Sequence, residues 1–239
     1  MNGKGDDQMK SVAIIPARGG SKRIPRKNIL NFCGKPIIAY SIEAALASSM
    51  FDKVIVSTDS EEIATVAKQY GAEVPFMRPE ELSNDNADGV DVVLHALKWL
   101  GRKNLNYEYA CCIYATAPFV QVDFLQKGLQ QLKASDALMA FSVTSFEFPI
   151  LRGLKINSDG RLELFWPEYE EFSSKDLPES YHDAAQFYWY RTAKFIKAGK
   201  APFGGAIPVI LPRYLVQDID TPEDWQRAEL MYKSLQAGK

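Results

Sequence analysis

Four short, almost unbroken apolar runs, Val12–Ala17, Val54–Thr58, Tyr109–Tyr114 and Ala137–Val143, punctuate the first 145 residues. Runs of that length without polar alternation predict strands buried on both faces, as in a parallel sheet. Between them the apolar positions recur at helical spacing. Pro36–Ser48 predicts a helix with Pro36 in its first turn, where a missing N–H is tolerated. Ser60–Tyr70 predicts a second, with Ser60 as its cap, Glu61 and Glu62 at its positive end and Gly71 as its stop. Ala87–Leu100 and Val122–Lys133 complete the set. Such alternation predicts an α/β fold, a doubly wound and mostly parallel sheet with helices on both faces. Ligands in such sheets bind beyond the carboxyl ends of the strands.

After Phe146 the rhythm changes. Leu151–Trp166 holds two strand-like pieces around Asn157-Ser158-Asp159-Gly160, a hairpin signal. Trp166–Pro178 is polar and irregular, Tyr181–Tyr190 is aromatic-rich and extended, Ile207–Ile219 predicts one or two strands, and Pro222–Leu235 predicts a closing helix. The organisation expected is a leader over residues 1–10 without fixed structure and a single domain over 11–239. Within that domain, 146–190 is expected to be a small β-rich insertion serving a ligand site or a dimer contact.

Composition narrows the partners. With 46% hydrophobic and 24% charged residues and a net charge of −2, the chain lacks the global basic field that nucleic-acid binding needs. No run approaches the roughly 20 apolar residues that span a bilayer. Neither a nucleic-acid nor a membrane partner is therefore expected, and cytoplasmic residence is. The three cysteines suit neither a disulfide framework nor a zinc site; Cys111 and Cys112 read as small buried strand residues.

Local charge is another matter. The first strand runs into Arg18-Gly19-Gly20-Ser21-Lys22-Arg23-Ile24-Pro25-Arg26-Lys27-Asn28, with five basic residues within ten positions. Paired glycines let backbone N–H groups turn toward an anion, and a triphosphate would relieve the repulsion among the cations. The segment follows neither the Walker nor the Gly-x-Gly-x-x-Gly pattern. Near the other end, Asp218-Ile219-Asp220 closes a predicted strand, so both carboxylates share a face. Hard oxygen donors of this kind suit Mg²⁺, which uses one or two carboxylates plus substrate phosphates. Capping of the last helix by Asp220 or Thr221 is the structural alternative.

The segment Ile15–Asn28 resembles the opening motif of the CMP-sialate synthetase (acylneuraminate cytidylyltransferase) family. The resemblance extends over nearly the whole chain, through Ser57-Thr58-Asp59, Arg78-Pro79 with Leu82-Ser83, Tyr114-Ala115-Thr116-Ala117-Pro118 and Asp218-Ile219-Asp220. It implies a Rossmann-like nucleotidyltransferase fold, CTP and a nine-carbon sialic-acid-like (nonulosonic) acid as substrates, Mg²⁺ as cofactor and a homodimer. Arg18, Lys27, Asp218 and Asp220 fall on catalytic positions, the two aspartates on the metal motif. Arg18, Gly19, Gly20, Ser21, Lys22, Lys27, Asn28, Arg78, Ser83 and Tyr114 fall on or near nucleotide-binding positions. Within the family, Cys111–Phe119, Phe141–Thr144 and Tyr181–Trp189 are most similar to CMP-pseudaminate synthetases. That likeness makes Thr116, Lys175, His182, Gln186 and Tyr188 the candidate sugar contacts.

The chain departs from that pattern in three places. Ala185 stands where a glycine is expected, Ser173–Leu177 lacks an arginine, and Ala87-Asp88-Gly89 replaces a Thr/Ser-rich stretch and adds a negative charge near the nucleotide edge. CMP-sialate, CMP-legionaminate and CMP-KDO synthesis, and a non-catalytic nucleotide sensor on the same fold, remain alternatives.

Overall fold

A computed structural model describes residues 10–84 and 87–238; the expected leader, apart from Lys10, lies outside the described residues. β1 (Ser11–Pro16) pairs in parallel with β4 (Lys53–Ser57) on one side and β5 (Tyr109–Ile113) on the other. Between β1 and β4 lie a small hairpin, β2 (Asn31–Phe32) and β3 (Lys35–Pro36), and helix α1 (Ile37–Ala47). α2 (Glu61–Gln69) and α3 (Gly89–Arg102) connect β4 to β5. As expected, Ser60 caps α2, its side chain accepting from the Ile63 N–H. α4 (Val122–Lys133) leads to β6 (Met139–Ser145), and β7 (Leu154–Ile156) with β8 (Leu162–Leu164) forms the expected antiparallel hairpin. β9 (Tyr181–Arg191), α5 (Thr192–Ala198), β10 (Ile207–Ile210) and α6 (Pro222–Ala237) follow.

The main sheet has the order β10-β6-β9-β5-β1-β4. All its strands run one way except β9, which is antiparallel to both β5 and β6. The mostly parallel reading therefore stands, with a correction to the domain plan. The segment 146–190 is not one appendage, because Tyr181–Arg191 is an interior strand of the sheet. Only the stretch before it, with β7 and β8, leaves the main layers. A strand buried on both faces reads alike in either direction, so its sequence could not disclose the reversal.

Successive β9 side chains enter opposite layers, as the pleat dictates. Phe187 and Trp189 join the core that α1, α2 and α4 cover, while Tyr188 and Tyr190 join the one covered by α3 and α5. Cys111 and Cys112 divide in the same way and are free, buried thiols. Gly128 lets α4 close on the sheet, since a Cβ there would lie 2.9 Å from the Trp189 ring. A third cluster, of Phe32, Ile37, Tyr40, Phe119, Ile219 and Trp225 among others, fastens α6 beneath the β2–β3 hairpin.

A second correction concerns the last strand. β10 ends at Ile210; Pro212 removes a ladder donor, a one-turn 3₁₀ helix spans Arg213–Leu215, and Asp218–Asp220 is extended chain outside the sheet. Its alternation survives. Ile219 is fully buried, and the two flanking carboxylates point away from it toward the carboxyl ends of the strands.

Candidate active site

Two clefts open beyond the carboxyl edge of the sheet and meet at Asp220. The first, about 640 Å³, is lined by Arg18, Ser21, Lys22, Arg23, Lys27, Asn28, Arg78, Asn84, Tyr114 and Thr116, among others. The second, about 480 Å³, is lined by Thr144, Glu147, His182, Asp183, Arg213, Asp218, Asp224 and Arg227, among others. Asp220 lines both.

The basic loop is shaped by its own polar groups. The Gly19 N–H donates to Asp59 Oδ1 (2.8 Å), Ser21 N–H donates to the Gly19 carbonyl (3.1 Å), and the buried Asn28 amide donates to the Arg18 carbonyl (2.9 Å). A Cβ on Gly19 would press on Ser60 Cβ at 3.1 Å, so this turn calls for glycine. Gly19 and Gly20 thus form the bend and do not line the cleft, whereas Ser21 and the cations beyond them do. Arg26 takes a left-handed conformation (φ 57°) that reverses the chain and sets Lys27 inward. Lys27 Nζ donates to the Ile219 carbonyl (2.6 Å) and lies 3.3 Å from Asp220 Oδ1, while Arg23 lies 3.0 Å from Asp220 Oδ2.

On the far wall Arg78 is 6% exposed and brings a full charge into a buried position. Its Nε donates to Ser83 Oγ (3.2 Å), and the Ser83 hydroxyl donates to the Pro79 carbonyl (2.9 Å). Ser83 therefore holds Arg78 and does not itself line the cleft. Arg78 Nη2 is 3.7 Å from Asp59 and makes no hydrogen bond. Burial lowers the Arg78 guanidinium from its ordinary value, Asp59 opposes that, and Arg18 adds to it. A buried donor left without an acceptor is costly, and here it faces a cleft. The Tyr114 hydroxyl, pushed up to about 12 by burial, completes that wall as a neutral group. Asp88, between the cleft-lining Ala87 and Gly89, caps α3, its carboxylate accepting from the Val90 N–H (3.0 Å).

The carboxylate pair is held by α6. Thr221 caps this helix in a capping box with Asp224, and Asp224 Oδ2 also accepts the Asp220 N–H (3.1 Å). Capping is thus the task of Thr221, and both Asp218 and Asp220 are left to the clefts. Burial raises the Asp218 carboxyl; the like charge of Asp220 raises it further and Lys27 opposes. Burial also acts to raise Asp224, but hydrogen bonds from Thr221 and Asp220 and the charge of Arg227 outweigh it and hold that carboxyl low. Among the described residues no group of three or more His, Cys, Asp or Glu side chains could hold a metal alone. Two mutually repelling carboxylates beside a phosphate-sized cationic cleft fit Mg²⁺, which takes its remaining ligands from phosphate and water.

The sugar candidates scatter. His182 lines the second cleft, its Nδ1 2.8 Å from the Asp183 carbonyl oxygen. Thr116 lines the first cleft instead of the second. Lys175 is exposed and lines neither. Gln186 is 3% exposed and donates to the Leu215 carbonyl, so it braces the chain instead of facing a ligand. Tyr188 is buried and donates to Asp183 Oδ2 (2.7 Å). Asp183, which sequence reasoning passed over, lines the second cleft beside His182. Its other oxygen accepts the Ala185 N–H (2.8 Å), where β9 bulges against β6. Ala185 sits there at φ 51°, which gives a physical reason for the glycine expected at this position. Asp59, Thr144, Arg213 and Arg227 were missed as well; Asp59 and Thr144 lay in recognisable blocks, Arg213 and Arg227 in none.

The cytidylyltransferase family model matches residues 12–195. A pseudaminic acid cytidylyltransferase of Campylobacter jejuni is 43% identical over 94% of this chain and 97% of its own length. A CMP-N,N'-diacetyllegionaminic acid synthase of Legionella pneumophila is 34% identical over 92% of this chain and 95% of its own. Among solved structures, a CMP-2-keto-3-deoxy-manno-octonic acid synthetase complexed with CTP has a TM-score of 0.68 at 18% identity, covering 94% of this chain and 99% of that one, a likeness of fold. By family match and relatives alike, this chain belongs to the cytidylyltransferases.

Proposed function

We propose that this protein transfers CMP from CTP to the anomeric hydroxyl of pseudaminic acid and releases pyrophosphate. The observation that carries the reading is the meeting of two clefts at Asp220, one cationic and sized for a nucleotide, the other mixed in charge. Relatives named for this reaction, over nearly the full length of both chains, support the same acceptor.

The triphosphate lies along Arg18, Ser21, Lys22 and Lys27, whose charges offset its own. Arg78 Nη2, the buried donor without an acceptor, meets an oxygen or ring nitrogen of the base, and Tyr114 closes the cleft beside it. This seats the α-phosphorus near Asp220. The acceptor hydroxyl attacks from the second cleft in line with the departing pyrophosphate; one P–O bond forms as the α–β bridging bond breaks, and the hydroxyl proton passes to solvent. Catalysis rests on positioning and charge stabilisation, as in other phosphoryl transfers. Asp218 and Asp220 would hold Mg²⁺, which when bound polarises the reacting phosphoryl group. Lys27 and Arg23 hold Asp220 toward the junction in the meantime.

A homodimer and a cytoplasmic setting are part of the proposal. Leu154, Ile156, Leu162 and Phe165 on and beside the β7–β8 hairpin are 55, 73, 69 and 54% exposed, and a second copy would cover them. CTP is a cytoplasmic metabolite, and no helix among the described residues is long and apolar enough to cross a membrane. The test is pyrophosphate release with Mg²⁺, each nucleoside triphosphate, and a panel of pseudaminate, legionaminate, sialate and KDO. Turnover is expected with CTP and pseudaminate; a preference for UTP or GTP, or for another acid, would overturn the reading.

A further inference from the structure

We infer that Arg213 is the cation that receives the acceptor's carboxylate, and that Gln186 and Thr144 are positioning residues for it. The inference rests on the proposed reaction, since it concerns how an acidic sugar is held in the second cleft. That cleft is rich in carboxylates, with Glu147, Asp183, Asp218, Asp220 and Asp224 on its walls. An anionic sugar needs a countercharge there, because like charges brought close together repel.

Most cations in reach are already committed. Lys27 and Arg23 are ion-paired with Asp220 and face the phosphate side. Arg227 stands beside Asp224, whose charge it offsets. His182 packs its ring on Phe146, with Nδ1 against a carbonyl oxygen. Lys175, the cation expected from sequence, does not line the cleft. Arg213 does line it, and among the described residues it has no ion pair and no side-chain hydrogen bond. A guanidinium is also the group that meets a carboxylate with two parallel N–H donors.

The turn that carries Arg213 is fixed to the sheet by buried polar groups that otherwise lack an explanation. Thr144, 2% exposed on β6, donates from Oγ1 to the Leu211 carbonyl at the end of β10 (2.9 Å). Gln186, 3% exposed on β9, donates from Nε2 to the Leu215 carbonyl at the other end of the turn. Arg213 lies between the two anchors, in a 3₁₀ turn closed by Leu215 N–H to the Pro212 carbonyl (3.0 Å). Two satisfied buried polar groups at the ends of one turn hold its backbone in place, which a receptor for a planar anion requires.

The test is steady-state kinetics of the full chain with CTP and either pseudaminic acid or its methyl ester, for wild type, Arg213→Ala and Arg213→Lys. Arg213→Ala is expected to raise the KM for the acid roughly ten- to fiftyfold while leaving the KM for CTP unchanged, and Arg213→Lys to recover part of the loss. The wild type should favour the acid over the ester by a similar factor, and Arg213→Ala should favour neither. An unchanged KM for the acid in Arg213→Ala, or full acid–ester discrimination in that variant, would overturn the assignment while the reaction stands. A wild type that transfers CMP to none of these acids would remove the reaction and the assignment with it.

Discussion

The two clefts are built in opposite ways. The first draws its cations Arg18, Lys22, Arg23 and Lys27 from one stretch of chain, the loop after β1, bent by Gly19 and locked by Asp59 and Asn28, and only Arg78 from elsewhere. The second takes Thr144 from β6, Asp183 from β9, Arg213 from the turn after β10 and Asp218 from the extended chain before α6. The first recognises charge in quantity, which tolerates approximate placement. In the proposed reaction the second recognises one carboxylate among many acidic groups, and that demands cations at defined positions. A contiguous loop can be read as a motif, whereas a site collected from distant strands exists only once the sheet has ordered them.

Asp220, common to both clefts, offers the severest way to break this contrast. Asp220→Asn is expected to lower kcat by at least about 10²-fold. CTP should bind at least as tightly without metal, since Lys27 and Arg23 then lose their carboxylate partner and face the phosphates. Calorimetric titration of CTP into the variant checks the second half; normal turnover would remove Asp220 from the reacting centre. Lys27→Ala acts chiefly on the first cleft, which Lys27 lines, and also removes one partner of Asp220. Loss of one mostly buried charge should weaken CTP about 10- to 100-fold and CMP much less, and equal losses would take Lys27 off the outer phosphates.

The asymmetry also decides what was legible before the fold was known. The doubly wound sheet followed from strand and helix periodicity, and the cationic loop from five charges beside two glycines. The alternation of Asp218, Ile219 and Asp220 was legible, although the strand assigned to them was absent, because extended chain alternates with or without a ladder. The antiparallel course of β9 was hidden by burial on both its faces. Gln186 and Tyr188 read as sugar contacts from sequence because they lie within the Tyr181–Trp189 motif. Their side chains instead brace Leu215 and Asp183, and a motif does not say which of its members touch ligand.

Gln186→Leu sharpens the comparison from the side of the second cleft. The change nearly keeps the side-chain volume and removes the donor to the Leu215 carbonyl, loosening the Arg213 turn. The KM for the acid is expected to rise roughly three- to tenfold, with the KM for CTP and kcat at saturation nearly unchanged. A merely structural role would lower stability without this split; a fall in kcat alone would refute the positioning role.

The smallest effect tests the frame beneath that cleft. Ala185 is held at φ 51° in the β9 bulge by the hydrogen bond from its N–H to Asp183. A left-handed residue with a Cβ costs on the order of 1–2 kcal/mol, part of which glycine returns as greater freedom of the unfolded chain. Ala185→Gly should therefore stabilise the protein by about 1 kcal/mol, which raises Tm by roughly 2–4 °C in a domain of this size. No matching change is expected in the first cleft, so the Kd for CTP should hold. If Ala185→Gly instead destabilises the fold, the bulge does not strain its alanine. The glycine expected there would then owe its place to close approach of a ligand and not to backbone conformation, a difference that the KM for the acid in the same variant would expose.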